Sequence, residues 1–486
     1  MADLSVKPRC LLVIFGATGD LTNRKLLPAI YQLKQQGQLP EQFAVVATAR
    51  SQHTDEHYRK IAKEAVKKYS GLTFDQEIWE TLSKQLYYHP LKFDEDDGYA
   101  GLKDLLRRLD DQLQTNGNHI FYLAVAPEYF GKISDRIEKY QLINQDRGWY
   151  RLMIEKPFGE NLKSAKELNR DLTRVFKEEN LYRIDHYLVK EMVRNLMVIR
   201  ASNQIFEPLW NGDFIDHIEI ISMESEGIGL RGRYYDNSGA LRDMVQNHLL
   251  QMLALTAMEM PDSLSVKKVR TEKVKMLRAL IPIEEDQINN QVVLGQYEGY
   301  LNEERVKADS STETFAALKV CLDHPRWRDV PFYLKTGKAV ASKMTQINIQ
   351  FKRPLGTSYL GDVLQSADPN RLIIKIQPDE GFEFVFNTKK PGTLDSIMPV
   401  SMDFCQSCLV EHNTPEAYEK LILDCINGDA SSFTHWKELE ATWTWIDRIT
   451  NWASQNPQMV HTYPKGSEGP EAAQELLKRS KDRDIR

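Results

Sequence analysis

The segment Gly16-Ala-Thr18-Gly19-Asp20-Leu21-Thr22 follows the apolar run Cys10–Phe15 and precedes a stretch in which Leu26, Ile30 and Leu33 recur at helical spacing before Gly37. Small residues at a strand-to-helix turn let backbone N–H groups and the helix dipole approach a pyrophosphate. The segment differs from G-x-G-x-x-G in carrying Thr18 at the second glycine position and closing on Thr22, so an ordinary turn is the competing reading. A second apolar run, Phe43–Ala47, ends at Thr48-Ala49-Arg50. Dinucleotide folds place at this strand end either an acid for the ribose 2'-hydroxyl or an arginine for a 2'-phosphate. Here the residue is Arg50, whose plainer reading is a solvated surface arginine.

His186, Tyr187 and Lys190 fall within five positions. Such a set can grip a phosphate dianion through charge-assisted bonds, and a solvated helix face is the alternative. His248 lies within Asp243–Gln251, which reads as helical, and a lone helical histidine reads as structural until its surroundings recruit it. Cys405 and Cys408 have the spacing of a redox or metal half-site. No second Cys-x-x-Cys and no nearby histidine pair completes it, and no metal is expected.

Each of these residues needs an element to hold it. After the first strand, turn and helix come helical patterns at Tyr58–Tyr69 and through Leu102, Leu105, Leu106, Leu109 and Leu113, then strand candidates at His119–Val125 and Tyr150–Ile154. Strands alternating with helices favour a doubly wound parallel sheet with right-handed crossovers. Residues 1–185 are therefore expected to form a Rossmann-like α/β domain. Beyond residue 210, Asp216–Met223, Glu313–Leu322, Gln346–Phe351, Arg371–Gln377 and Phe382–Asn387 are strand-like. Ile347, Ile349 and Phe351 alternate with polar Asn348 and Gln350, as in a half-buried antiparallel strand. Helical stretches at Ala240–Thr256 and Glu416–Asn427 complete an α+β reading of residues 186–486 with one large, mainly antiparallel sheet.

Bulk composition agrees with two domains. A chain of 486 residues exceeds one ordinary core. With 42% hydrophobic and 27% charged residues and no long Pro, Gly or Ser tract, it reads as soluble and globular. No apolar run approaches the roughly 18 residues of a membrane helix, and the N-terminal residues lead only into a short strand-like run. The five cysteines, Cys10, Cys321, Cys405, Cys408 and Cys425, are few and odd in number, which points away from a disulfide framework and toward a cytoplasmic setting. A net charge of -6 offers no basic field for nucleic acid or an anionic membrane, so cations for an anionic ligand must be local.

Several short motifs coincide along this frame: Gly16-Ala-Thr-Gly-Asp-Leu21, Glu155-Lys-Pro-Phe-Gly159, Arg183-Ile-Asp-His-Tyr-Leu188 with Lys190-Glu191, Asp243-Met-Val-Gln-Asn-His248, and Val330-Pro-Phe with Gly337-Lys338. Together they resemble the glucose-6-phosphate dehydrogenase family over nearly the whole chain, as do Pro415-Glu-Ala-Tyr418, Gly466-Ser467 and Gly469-Pro470. The chain departs from that pattern at Val189, Glu468 and His435-Trp436.

The resemblance implies oxidation of glucose 6-phosphate at C1 to the lactone, with hydride passing to NADP and NAD as an alternative, the first step of the oxidative pentose phosphate pathway. Oxidising a hemiacetal requires a base near neutral pKa. By resemblance that base is His248, with Asp185 as its orienting partner. The resemblance further assigns Lys156, His186, Tyr187, Lys190, Glu224, Asp243, Lys338 and, more weakly, Lys343 to the substrate. Gly16, Thr18, Gly19, Asp20, Leu21, Arg50 and Lys156 fall to the cofactor. It also implies a homodimer, or a dimer of dimers, built through the large sheet.

Overall fold

The computed structural model describes residues 7–143, 147–353, 367–393, 396–405 and 417–481. The chain divides into two compact units, Met1–Val189 with Pro415–Trp436, and Lys190–Thr414 with Lys437–Arg486. The expected boundary at residue 185 falls four residues before the end of the first stretch. The helix Ala417–Asn427, read from sequence with the second part, folds with the first. The reason is non-local packing. Leu421, Ile422, Cys425 and Ile426 join the apolar cluster around Leu12, Ile14 and Tyr182, and the Arg151 guanidinium donates to Ile426 O at 2.8 Å. Pro415, Glu416 and Cys408 lie outside the described residues. Cys10, Cys321 and Cys425 are not in disulfides, whereas Cys405 is disulfide-bonded.

In the first unit, β1 (Cys10–Phe15) and β2 (Phe43–Ala49) are buried at every position. Continuous apolar runs suit strands of a parallel sheet covered on both faces. With β3 (Leu86–Pro90), β4 (His119–Leu123), β5 (Tyr150–Ile154), β6 (Leu181–Ile184) and the short β15 (Phe433–Thr434), they form a seven-stranded sheet in the order β15-β6-β5-β4-β1-β2-β3. Every pairing is parallel except that of β15 with β6. This is the doubly wound order, with its switch point between β1 and β4. The structure adds β3, β6 and β15 to the strands read from sequence. Val189, one of the departures from the motif, is buried in this unit's core.

The second unit is built on a nine-stranded sheet. Its strands are β7 (Ile215–Met223), β8 (Val292–Tyr297), β9 (Phe315–Val320), β10 (Phe332–Gly337), β11 (Met344–Phe351), β12 (Arg371–Gln377), β13 (Gly381–Lys389), β14 (Ile397–Cys405) and β16 (Val460–Tyr463). They run in the order β14-β13-β12-β11-β7-β10-β9-β8-β16. The pairings β7–β10 and β8–β16 are parallel and the others antiparallel. Asn348, expected to face water, is buried because its amide donates to Glu219 at 2.7 Å.

Candidate active site

In a parallel sheet the carboxyl ends of the strands share one edge, where open α/β sheets bind ligands. Reading along that edge of the first unit, β6 is followed by Asp185, β5 by Glu155 and Lys156, β1 by Gly16, and β2 by Arg50. The registers Ile154↔Arg183, Leu123↔Ile154, Phe15↔Leu123 and Phe15↔Thr48 keep these ends level. Four sequence-predicted residues, Asp185, Lys156, Gly16 and Arg50, from four separate segments are thus lined up by one sheet.

The glycine turn is shaped by close approach. Gly16 has φ 97°, and a Cβ there would stand 2.2 Å from Ala124 O. No L side chain fits. The amides of Gly16 and Ala17 both donate to Thr48 O (2.9 and 3.0 Å), and the amide of Gly19 donates to Gly16 O (3.0 Å). These three donors already have internal acceptors. The amides of Thr18, Asp20 and Leu21 find no acceptor among the described residues, and they open the helical segment that starts as a π-turn at Thr22–Leu26. An anion fits there, at a helix N-terminus with free donors.

Arg50 is exposed and makes no ion pair among the described residues. Its backbone is nevertheless held. The Tyr88 hydroxyl bonds Ala49 O (3.3 Å) and Ser51 O (2.6 Å), one residue to either side. Tyr88 packs with Tyr58, Ala17, Ala47 and Ala49 in one buried cluster, and the Tyr58 hydroxyl reaches Ala17 O at 3.4 Å. The glycine turn and the Arg50 turn therefore share a single packed support, which sequence reasoning missed because Tyr58 reads only as part of a helix and no strand is read at Tyr88.

At the end of β5, the Tyr122 hydroxyl donates to Glu155 Oε1 at 2.6 Å. Burial pushes the Glu155 carboxyl up, against the opposing hydrogen bond from Tyr122 and the charge of Lys156. This anchor fixes the backbone from which Lys156 departs, and the Lys156–Pro157 peptide is cis. Asp185 is buried at the end of β6, and its Oδ1 accepts the Tyr187 amide at 2.9 Å. The His186 and Tyr187 rings lie 5.0 Å apart.

In the second unit, Glu224 and Lys338 follow the parallel neighbours β7 and β10, whose last residues, Met223 and Gly337, are in register. They meet for that reason, with Nζ and Oε2 2.8 Å apart. Lys338 is buried at 2% exposure and lies over the Tyr235 ring, 5.2 Å from its centroid. Asp243 and His248 are both buried on the π-helical segment Leu241–Leu249, where sequence reading expects an ordinary helix. At 3.6 residues per turn, residues five apart diverge by about 140° around the axis. The wider π winding bonds i to i+5 and returns His248 to the face of Asp243. The Tyr234 hydroxyl donates to Asp243 Oδ1 at 3.2 Å. Lys190 precedes the helix Glu191–Ser202, and Lys343 is exposed ahead of β11 with no hydrogen bond or ion pair among the described residues.

A doubly wound parallel sheet with a glycine turn between its first strand and helix defines the class of dinucleotide-binding α/β domains. Residues 13–195 match the family model described as glucose-6-phosphate dehydrogenase, NAD binding domain, and residues 197–484 match its C-terminal domain. The chain is 45% identical over 481 residues to glucose-6-phosphate 1-dehydrogenase of Bacillus subtilis (strain 168), spanning 97% of each. It is 43% identical over 489 residues to the enzyme of that name from Chlamydia pneumoniae, spanning 97% of this chain and 95% of the relative. A solved glucose-6-phosphate dehydrogenase in complex with its substrate glucose-6-phosphate superposes with a TM-score of 0.90 at 34% identity, covering 99% of both chains. The chain belongs to the glucose-6-phosphate dehydrogenase family, and it is an NADP-dependent oxidoreductase of carbohydrate metabolism.

Proposed function

We propose that this chain converts glucose 6-phosphate to 6-phosphogluconolactone, with His248 taking the C1 hydroxyl proton as the C1 hydride leaves and the C1 carbonyl forms. Asp185 holds the imidazole in its working tautomer and stabilises the imidazolium. NADP supplies the hydride acceptor when bound. Thr18, Asp20 and Leu21 donate backbone amides to the pyrophosphate, and Arg50 pairs with the 2'-phosphate. Lys156 bonds sugar and nicotinamide. His186, Tyr187 and Lys190 grip the sugar's phosphate, while Glu224, Asp243, Lys338 and Lys343 orient its hydroxyls. Glu224 and Lys338 form an ion pair without substrate, so a sugar hydroxyl inserts between a ready acceptor and a ready donor.

The observation that carries this reading is that Asp243 and His248 are both buried on one π-wound segment, a winding that recurs at functional sites. Among the described residues no helix is long and apolar enough to cross a membrane. The reading includes a cytoplasmic setting and a homodimer or dimer of dimers. A spectrophotometric assay of nicotinamide reduction, run with NADP and NAD and with glucose and its 6-phosphate, tests it. Activity confined to the phosphorylated sugar supports it, and equal activity on free glucose overturns the phosphate assignment.

A further inference from the structure

The helix that carries Asp243 and His248 starts where Gly239 breaks the chain at φ 67° and ψ 175°. The first amides of a helix have no partner within it. Here one residue takes two of them: Ala240 N–H donates to Glu313 O and Leu241 N–H to Glu313 Oε1, each at 2.9 Å. The Glu313 carboxylate is buried, and its approach depends on the missing side chain of Gly239. A Cβ there would stand 2.3 Å from Oε1 and 2.8 Å from Oε2. Burial pushes the carboxyl up, opposed by the Leu241 amide.

The next residue faces the substrate lysine. Thr314 O accepts the Lys338 amide at 3.0 Å, and the Tyr463 hydroxyl, 2.9 Å from Thr314 Oγ1, donates to Lys338 O at 2.7 Å. Two consecutive residues at the head of β9 thus hold the histidine-bearing helix on one side and Lys338 on the other. The same helix runs on through Leu250–Ala257, and the carbonyls at its far end are taken by Trp210 (Thr256 O, 2.8 Å), Trp327 (Ala257 O, 2.7 Å) and, at the cap residue, Arg200 (Met258 O, 2.8 Å). With that end clamped, the Glu313 contact sets the axial position of Asp243 and His248.

We infer that Glu313 is a positioning residue for the reaction, acting through its hydrogen bond to the Leu241 amide and touching no substrate. This rests on the reading of His248 as the base. Glu313→Gln keeps an oxygen acceptor for Leu241 and should retain turnover close to wild type. Glu313→Ala removes the acceptor, and Gly239→Ala displaces it while keeping the acid. Both should lower kcat roughly ten- to hundredfold, as small misplacements of catalytic groups do, with KM for NADP unchanged. The Gly239→Ala variant carries the test if loss of the carboxylate prevents folding. Wild-type kcat in both of these variants overturns the inference. So does a Glu313→Gln enzyme as impaired as Glu313→Ala, or a kcat loss matched by an equal rise in KM for NADP. His248→Asn is assayed alongside. If it loses turnover and Glu313→Ala does not, this inference alone fails, whereas if it keeps turnover the reading of the base fails and this inference with it.

Discussion

His248 is fully buried, and which ring nitrogen of a buried imidazole carries the proton is set by the hydrogen bond the other makes. Replacing it with Asn keeps the shape and removes the base. Turnover should fall by roughly 10² to 10⁴, the range for acid–base catalysis, with KM for glucose 6-phosphate nearly kept. Near-normal steady-state turnover would remove His248 from the chemistry. Arg50 presents a different case, because its side chain is exposed and only its backbone is fixed, by the Tyr88 hydroxyl. A guanidinium can pair with a 2'-phosphate through two bonds and can stack on adenine without it. Arg50→Ala should weaken NADP binding by about one to two decades and NAD binding less. Titrations of both cofactors at one ionic strength check this, and an unchanged NADP to NAD ratio counts against it.

At the scale of elements, the sheet of the second unit carries a charge device away from the proposed chemistry. His217 on β7 is buried, which disfavours its charged form, yet hydrogen bonds to Asp216 and Glu219 outweigh burial and hold its pKa at about 9. Asn348 from β11 bonds the same Glu219, and the Tyr333 ring of β10 meets the imidazole edge to face. A histidine whose folded pKa is raised stabilises the fold fully below its unfolded value, and that contribution is lost as pH rises through the folded one. Wild-type thermal stability should therefore decline between pH about 6.5 and about 9, by a component that His217→Asn lacks. Parallel thermal melts of the two proteins across this window would show it. Identical slopes would mean that folding does not raise the pKa of His217.

For the molecule as a whole, the first unit offers amides at Thr18, Asp20 and Leu21 that find no acceptor among the described residues and are open to an anion. A ligand that binds only the native state adds about 2.7 kcal/mol at a hundred times its Kd. NADP at that excess should raise the apparent Tm by several degrees, and inorganic phosphate at equal concentration by much less. A melting curve unmoved by NADP would argue that these amides are not its site.

Much of this protein is legible in consecutive residues, and the legible part is the local part. The strand, glycine turn and helix over residues 10–37 are visible because apolar runs, helical spacing and the absence of a side chain are properties of neighbours along the chain. Family motifs likewise mark His248, Asp185, Lys156 and Lys338 as residues of interest, since each sits inside a short distinctive string. Tertiary structure alone decided the rest. Leu86-Tyr-Tyr-His-Pro90 becomes a strand only because β2 lies beside it, and Ala417–Asn427 joins the first unit only because Arg151 and an apolar cluster far earlier in the chain receive it. The π winding of Leu241–Leu249 carries no local signal in the chain, and the Glu313 contact at the start of that helix joins residues 72 apart in sequence. Burial is non-directional, and a hydrogen bond needs a partner at a defined distance, so both are settled by what the fold brings opposite a residue and not by what precedes it in the chain.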